Sequence, residues 1–402
     1  MMSLLKELSV LTGKTFVAEG FPAEMGAVRV SDRPDLAQFQ CNGAMIAAKQ
    51  AKKNPRAVAE SVVARLKDNP VFSKVEIAGP GFINLNVTDK FLTSCLDKIM
   101  DDERCGVPLS AHGETIVLDY GGMNVAKAMH VGHLRPNVIG DALKRIVRFA
   151  GYNALGDIHM GDWGLPMGQI ISEFQIRNPN WLYFNADYNG PYPDDPPFDF
   201  GTLEEIYPQA SNACKEDPVR LDLARKATAE LQSGRPGYRA LWKHFMNLSI
   251  ADIKKNTDAL GVHFEIWKGE ADVNDLIPVF AEELKGKGLL VESEGALIIP
   301  VAEDGDNKEI PPLMFFKSDG AQTYGTTDLA TLYERIRLYS DLSKVIYVTD
   351  KRQNLHFEQV FRAAKKAHLA DKTELVHIGF GTLNGLDGKP FKTRDGGVMR
   401  FD

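Results

Sequence analysis

Thr115-Ile-Val-Leu-Asp-Tyr120 is a β-rich run, followed by a glycine-bearing loop and then by a long amphipathic helix. No other stretch limits the possible folds of this chain so tightly. The helical stripe is Leu134, Val138, Ile139, Ala142, Leu143, Ile146 and Val147, a rhythm that packs one face against a sheet. Gly151 supplies the stop, because glycine takes the left-handed position after a last turn at no steric cost. Parallel strands need crossovers of this strand–loop–helix kind. Further β-rich runs at 154–160, 296–300, 344–349 and 375–379, with helices between, repeat the theme. The expected fold is an α/β domain built on a doubly wound, mostly parallel sheet.

The chain has 402 residues, more than one ordinary core of about 100–200 residues. Residues 1–107 read as a small α+β domain. Helical spacing occurs at 2–12, 42–53 and 55–67, alternating runs at 73–78 and 82–86 flank the turn Gly79-Pro80-Gly81, and a helix is expected at 89–100. The polar stretch 101–114, with Gly106, Pro108 and Gly113, marks the boundary, so 108–402 is the sheet domain. Within it, 175–290 reads as inserted. Pro191-Tyr-Pro-Asp-Asp-Pro-Pro197 forbids regular structure, and two helices are expected at 202–233 and 236–260.

Several function classes drop out on composition. No run approaches the ~20 apolar residues of a membrane span, and the N-terminal helical pattern carries Lys6 and Glu7 where a secretory signal would be apolar. A cytoplasmic protein without membrane contact is expected. Cys41, Cys95, Cys105 and Cys214 lie far apart with no C-x-x-C pair, which argues for reduced thiols and against a structural metal. The net charge of −7 excludes a grip on nucleic acid by bulk charge. An RNA partner would have to be held by local patches and by shape.

Between the strand at Thr115–Tyr120 and its helix lies Asn124-Val-Ala-Lys127-Ala-Met-His130-Val-Gly132-His133-Leu-Arg135. Open α/β folds turn helix N-terminal N–H groups toward phosphates at such a point. Gly132 would let a nucleotide approach the backbone, His130 and His133 would donate to phosphate oxygens as charge migrates, and Lys127 would add a positive charge. The bland alternative is two surface histidines beside a helix cap. A second signal is Gly388-Lys389-Pro-Phe-Lys392-Thr-Arg394-Asp-Gly396-Gly397, after the strand at 375–379 and Gly381. Alone it reads as a solvated basic loop; with the histidines it reads as a cationic clamp on a triphosphate. The third cluster is Tyr324 and Asp328, one helical turn apart, with Asp350 to His356 beyond the next strand. A phenol and a carboxylate on one helix face suit a guanidinium or ammonium ligand, and equally suit a helix cap beside a buried tyrosine.

Taken together and in order, these blocks resemble the arginyl-tRNA synthetases, a family of class I aminoacyl-tRNA synthetases. The Asn124–Arg135 block is similar to the family's N-x-A-K-x-x-H-x-G-H signature, Gly161-Asp-Trp-Gly164 to its G-D-W-G motif, and Lys389-Pro-Phe-Lys392-Thr-Arg394 to its form of the second class I signature. Gly121-Gly122-Met123 stands where a Ser/Pro loop is usual, and Pro136, read as lying in the first helical turn, replaces a small polar residue.

The resemblance implies a Rossmann-like class I catalytic domain and an arginine–tRNA ligase that uses ATP with Mg²⁺, L-arginine and tRNA(Arg), acting as a monomer. The arginine carboxylate would attack the α-phosphate, pyrophosphate would leave, and the adenylate would pass arginine to the tRNA 3′ end. Lys127, His130, Gly132, His133, Lys392 and Arg394 would serve catalysis. His130, His133, Gly381, Lys389 and Lys392 would hold ATP. Asp119, Asn124, Tyr324, Asp328 and Gln353 would bind arginine. The N-terminal domain would touch the tRNA D-loop through Phe82 and Asn84, although Phe82 also reads as a core aromatic. The chain ends at Asp402, and the family's C-terminal anticodon-binding domain is expected to be absent. Two rivals keep part of this pattern: a nucleotidyl transferase or non-tRNA adenylate-forming ligase of the same fold, and a non-catalytic tRNA-binding relative.

Overall fold

The computed structural model describes residues 4–110 and 113–382. Its contacts fall into two compact units, Met1–Ser110 and Ala111–Asp402.

The first unit carries α1 (Leu4–Ala18), β1 (Val28–Val30), β2 (Phe39–Cys41), α2 (Gly43–Ala51), α3 (Pro55–Leu66), β3 (Phe72–Ala78), β4 (Phe82–Val87) and α4 (Asp89–Met100). Its antiparallel sheet runs β1-β2-β4-β3. Leu8, Phe16, Ala47, Val62, Ile83 and Leu85 form the core between that sheet and the helices. Asn54 caps α3 by accepting the Arg56 N–H, with Pro55 at the first helical position, where a missing N–H costs nothing. Thr88 caps α4 in the same manner. The strands β1 and β2 have no counterpart in the sequence expectations.

The second unit contains β5 (Thr115–Tyr120), α5 (Val131–Phe149), β6 (Asn153–Asp157), α6 (Leu165–Arg177), α7 (Phe200–Glu216), α8 (Pro218–Gln232), α9 (Pro236–Ala259), α10 (Ile277–Gly286), β7 (Val291–Ser293), β8 (Ala296–Ile299), β9 (Leu313–Phe316), α11 (Tyr324–Leu338), β10 (Leu342–Asp350), α12 (Asn354–Lys366) and β11 (Glu374–Phe380). Four strands form a fully parallel sheet in the order β11-β10-β5-β6. Alternate residues of β5 enter different cores. Ile116, Leu118 and Tyr120 pack with Ile139, Leu143 and Val147 of α5. Val117 packs with Val345 and Tyr347 of β10, Leu329 of α11 and Phe357 of α12. Helices therefore cover both faces, which is what doubly wound means in packing terms.

Three expectations are corrected. The run at 296–300 forms β8, but in a separate antiparallel sheet, β7-β8-β9, whose Ile299, Leu313 and Phe315 pack on Phe280 of α10. The stretch 202–233 is two helices, because Asp217 caps α8 by accepting the Val219 N–H and Pro218 begins it. Pro136 lies in the second turn of α5, since that helix begins at Val131. A ladder bond from residue 136 to the Gly132 carbonyl cannot form there.

Candidate active site

A cleft of about 310 Å³ opens at the carboxyl edge of the parallel sheet. Its walls are Asp119–Gly122, the start of α5 from His130 to Pro136, Val348–Asp350, Arg352 and Gln353, and Phe380–Thr382. The position follows from topology. From β5 the chain crosses to β6 on one side, while β10 leads to β11 on the other. The crevice between β5 and β10 is thus the switch point where such sheets bind ligands. Gly121 and Gly122, with φ of 103° and 61°, turn the chain away from β5 and leave the crevice open.

The two histidines form a reciprocal cap at the start of α5. His130 Nδ1 accepts the Gly132 N–H at 3.1 Å, and His133 Nδ1 accepts the His130 N–H at 3.2 Å. Their rings stack with centroids 3.9 Å apart. The residues expected to serve a nucleotide are the ones that form the helix cap. A neutral ring that accepts at Nδ1 carries its proton on Nε2, so each histidine keeps one N–H donor that the cap does not use. Burial, then His130 and Lys127, push His133 down to about 3; burial and Lys127 lower His130 as well. Both imidazoles are neutral donors at physiological pH. A Cβ at Gly132 would sit 2.8 Å from His130 Cε1, so glycine here makes room for the imidazole.

The cleft brings together Asp119, His130, Gly132, His133, Gln353 and Gly381 of the expected residues. It adds two arginines not singled out for a role. Arg135 donates to the Gly381 carbonyl, and Arg352 holds Asp350 in a bidentate pair at 2.9 Å. Arg135 lay inside the quoted motif and Arg352 beside Gln353, so proximity in sequence was the available signal. Asn124 lies outside the cleft lining, exposed and bridged to Gly161; a Cβ on Gly161 would meet Asn124 Oδ1 at 2.5 Å. The first glycine of Gly161-Asp-Trp-Gly164 is therefore what seats Asn124. Lys127 is half-buried.

Tyr324 and Asp328 share one face of α11, and neither lines the cleft. Tyr324 is 75% exposed. Asp328 Oδ2 meets His356 Nε2 at 2.5 Å. Asp119 is already gripped by the chain's own Arg335, whose Nη2 donates to Asp119 and to Asp157, each at 2.6 Å. Sequence reasoning also passed over two carboxyls, one half-buried (Glu270) and one buried (Asp162). Burial, with the Asp328 charge, pushes Glu270 up to about 7. Burial, with Glu270 and Asp272, does the same to Asp162, up to about 7. Asp162 Oδ1 accepts the Ala271 N–H at 3.0 Å while Oδ2 has no partner among the described residues. No spacing signal marks Glu270; Asp162 stood in the quoted motif.

Lys389, Lys392 and Arg394 lie outside the described residues. In the N-terminal unit, Phe82 is half-buried at the start of β4, and Asn84 is only 8% exposed, its Oδ1 accepting from Gln40 at 3.0 Å. Among the described residues no group of three or more His, Cys, Asp or Glu side chains is disposed to hold a metal ion. No helix among them is long and apolar enough to cross a membrane.

Comparison with known proteins agrees with this geometry. Residues 96–402 match the family of tRNA synthetases class I (R), catalytic domain, and residues 5–87 match the arginyl tRNA synthetase N terminal domain. An arginine–tRNA ligase of Alkaliphilus oremlandii is 50% identical over 99% of this chain, and one of Hyphomonas neptunium is 52% identical over all of it. The chain spans 68% of the length of each. The fold is shared with the solved arginyl-tRNA synthetases of Plasmodium falciparum (TM-score 0.75, 24% identity, 95% of this chain and 66% of that one) and Thermus thermophilus (TM-score 0.70, 18% identity, 99% and 68%).

Proposed function

The chain belongs to the arginyl-tRNA synthetases, class I arginine–tRNA ligases, and from that premise we propose how its own residues divide the work of activating arginine. The reaction joins the arginine carboxylate to the α-phosphate of ATP and expels pyrophosphate, so negative charge gathers on phosphate oxygens in the transition state. What carries the reading is the reciprocal histidine cap, which leaves two neutral Nε2–H donors beside the crevice. Fixed donors of this kind stabilise developing charge without reorganising. Lys127 adds positive charge nearby; Arg135 and Arg352 line the same cleft and favour a polyanion. Lys389, Lys392 and Arg394 are assigned to the triphosphate from sequence alone. Mg²⁺ enters as the counter-ion of the nucleotide, and no residue here is assigned to it.

The guanidinium of arginine would lie against Asp119, Asp328 and Glu270, with Tyr324 and Gln353 beside them and Asn124 toward the amino-acid end. The electrostatic influence of Asp328 on Glu270 supports grouping those carboxyls. For tRNA, the N-terminal unit supplies the contact. Phe82 is the better presented of the two residues, and Asn84 would act through Gln40. The acting unit in this reading is one chain, in the cytoplasm.

Thermal-shift titration tests the amino-acid assignment. Arginine should stabilise the chain in the presence of ATP, and citrulline, which presents no charge to half-buried carboxylates, should bind more weakly by about 10⁴. Equal stabilisation by the two would remove the guanidinium pocket from these residues.

A further inference from the structure

Asp157 of β6, Asp119 of β5 and Tyr347 of β10 are register partners and form one row across three neighbouring strands. Side chains in register point to the same side of a sheet, and like charges directly opposite repel. Arg335 of α11 resolves the conflict. Its Nη2 donates to Asp119 Oδ2 and Asp157 Oδ2, each at 2.6 Å, and its Nη1 donates to the Tyr347 hydroxyl at 3.3 Å. The side chain is 2% exposed, yet Nε has no partner among the described residues. On the same helix Tyr324, Asp328, Thr331 and Arg335 recur at spacings of four, three and four, forming one stripe. The helix that presents Asp328 therefore also carries the group that grips Asp119.

One guanidinium thus faces two carboxyl groups, and Asp119 is the member that lines the cleft. We propose that Arg335 is a positioning residue for the arginine substrate: it commits one Asp119 oxygen, holds that carboxyl group in place beside Asp157, and leaves the other oxygen for an incoming guanidinium. The inference rests on the reading of Asp119 as a substrate ligand. The groups facing this pair are Asp119 from β5, Asp157 from β6, His159 from the loop after β6, Tyr347 from β10 and Tyr339 at the end of α11. Burial opposes the charge on Arg335, but Asp157 and Asp119 outweigh it and hold the guanidinium protonated.

Calorimetric titration of the chain with arginine, and separately with ATP, across about pH 6–9 decides the matter. Arg335→Met should weaken arginine binding by about 10–100-fold at neutral pH, the scale of hydrogen bonds to charged groups, and leave ATP binding unchanged. Its arginine affinity should fall further toward acid pH, because burial already raises Asp119 and the guanidinium that opposes its protonation is gone. Arg335→Lys keeps the charge but not the planar fork and should recover only part of the loss. If the Met variant does not fold, the Lys variant decides alone. A folded Lys variant with wild-type arginine affinity and pH profile overturns the proposal, as does equal weakening of arginine and ATP. Asp119→Asn separates the two readings. Unchanged arginine affinity in that variant sinks the ligand assignment and the Arg335 role together. If Asp119→Asn weakens arginine binding and a folded Arg335→Lys does not, only the Arg335 role fails.

Discussion

His133 Nδ1 accepts the backbone N–H of His130 at 3.2 Å, so one histidine of the pair caps the helix through the other. Structure and chemistry can nonetheless be separated at this position. His133→Asn keeps a side-chain acceptor for the cap, whereas His133→Ala removes it at a cost of about 1 kcal/mol. Neither presents the Nε2–H. Both variants should therefore lose about 10²–10³ in the rate of adenylate formation, or roughly 2.7–4 kcal/mol, with ATP affinity nearly intact. Only the alanine variant should also melt earlier. Single-turnover kinetics and a melting curve check the two effects separately.

A Cβ at residue 132 would lie 2.8 Å from His130 Cε1 and 2.9 Å from its Nδ1. Gly132→Ala should displace that imidazole and break its bond to the residue 132 N–H. The expected phenotype is the same rate defect in a protein that still binds ATP. A loss of ATP affinity at unchanged rate would mean instead that the glycine clears space for the nucleotide.

The legible parts of this molecule are those whose signal is contiguous. β5 and α5 appear in the sequence at the right places because a six-residue β-rich run and a nineteen-residue helical rhythm each outweigh their flanks. β1 and β2, with three residues each, are too short to alternate visibly. β8 was found as a strand and given to the wrong sheet, since an apolar run does not say which neighbour it will pair with. The histidine pair was legible because its members are three residues apart. Arg335, Asp119 and Asp157 were not seen as a unit because register across β5 and β6 joins them only in space. Glu270 was missed for a similar reason: Asp328, the charge that raises it, sits on another helix.

Tyr120 passes between α5 and β6. A Cβ at residue 140 would fall 2.1 Å from its ring and one at 156 would fall 2.7 Å from its hydroxyl. Gly140→Ala meets a buried ring with nowhere to go, since Tyr120 is 1% exposed. Overpacking of this kind costs about 1–3 kcal/mol and occasionally more. Chemical denaturation should show the loss as a lower midpoint at unchanged slope. A neutral outcome would show that α5 can lift from the sheet at that point.

Asp162 is 1% exposed, with one oxygen unpartnered and its carboxyl pushed up to about 7 by burial. A folded pKa above the unfolded value of about 3.9 means the native state holds a proton that the unfolded chain has released. Its contribution to stability is full below about pH 4 and is lost as pH rises through the folded value. Three units correspond to a ceiling of about 4 kcal/mol. Asp162→Asn keeps the acceptor for Ala271 without a charge. The variant's melting temperature relative to the parent should therefore be higher at about pH 8 than at about pH 5. A difference that does not change with pH would show that Asp162 is not titrating.

Glu270 carries the same physics into ligand binding. Burial and the Asp328 charge set its carboxyl at about 7, so in the empty site it is half protonated at neutral pH. A substrate guanidinium favours the ionised form, and binding must release the proton. Arginine affinity should consequently rise with pH below about 7, approaching tenfold per unit, and level off above it, because one pKa unit is worth about 1.4 kcal/mol. Glu270→Gln should flatten this profile at the weak end. Asp328→Asn removes the charge that raises Glu270, so the bend should move to lower pH even as overall affinity falls. Calorimetry in two buffers of different ionisation heat reads the proton release directly. A profile that is flat in the parent, or a bend that stays in place when Asp328 is neutralised, would separate Glu270 from the guanidinium site.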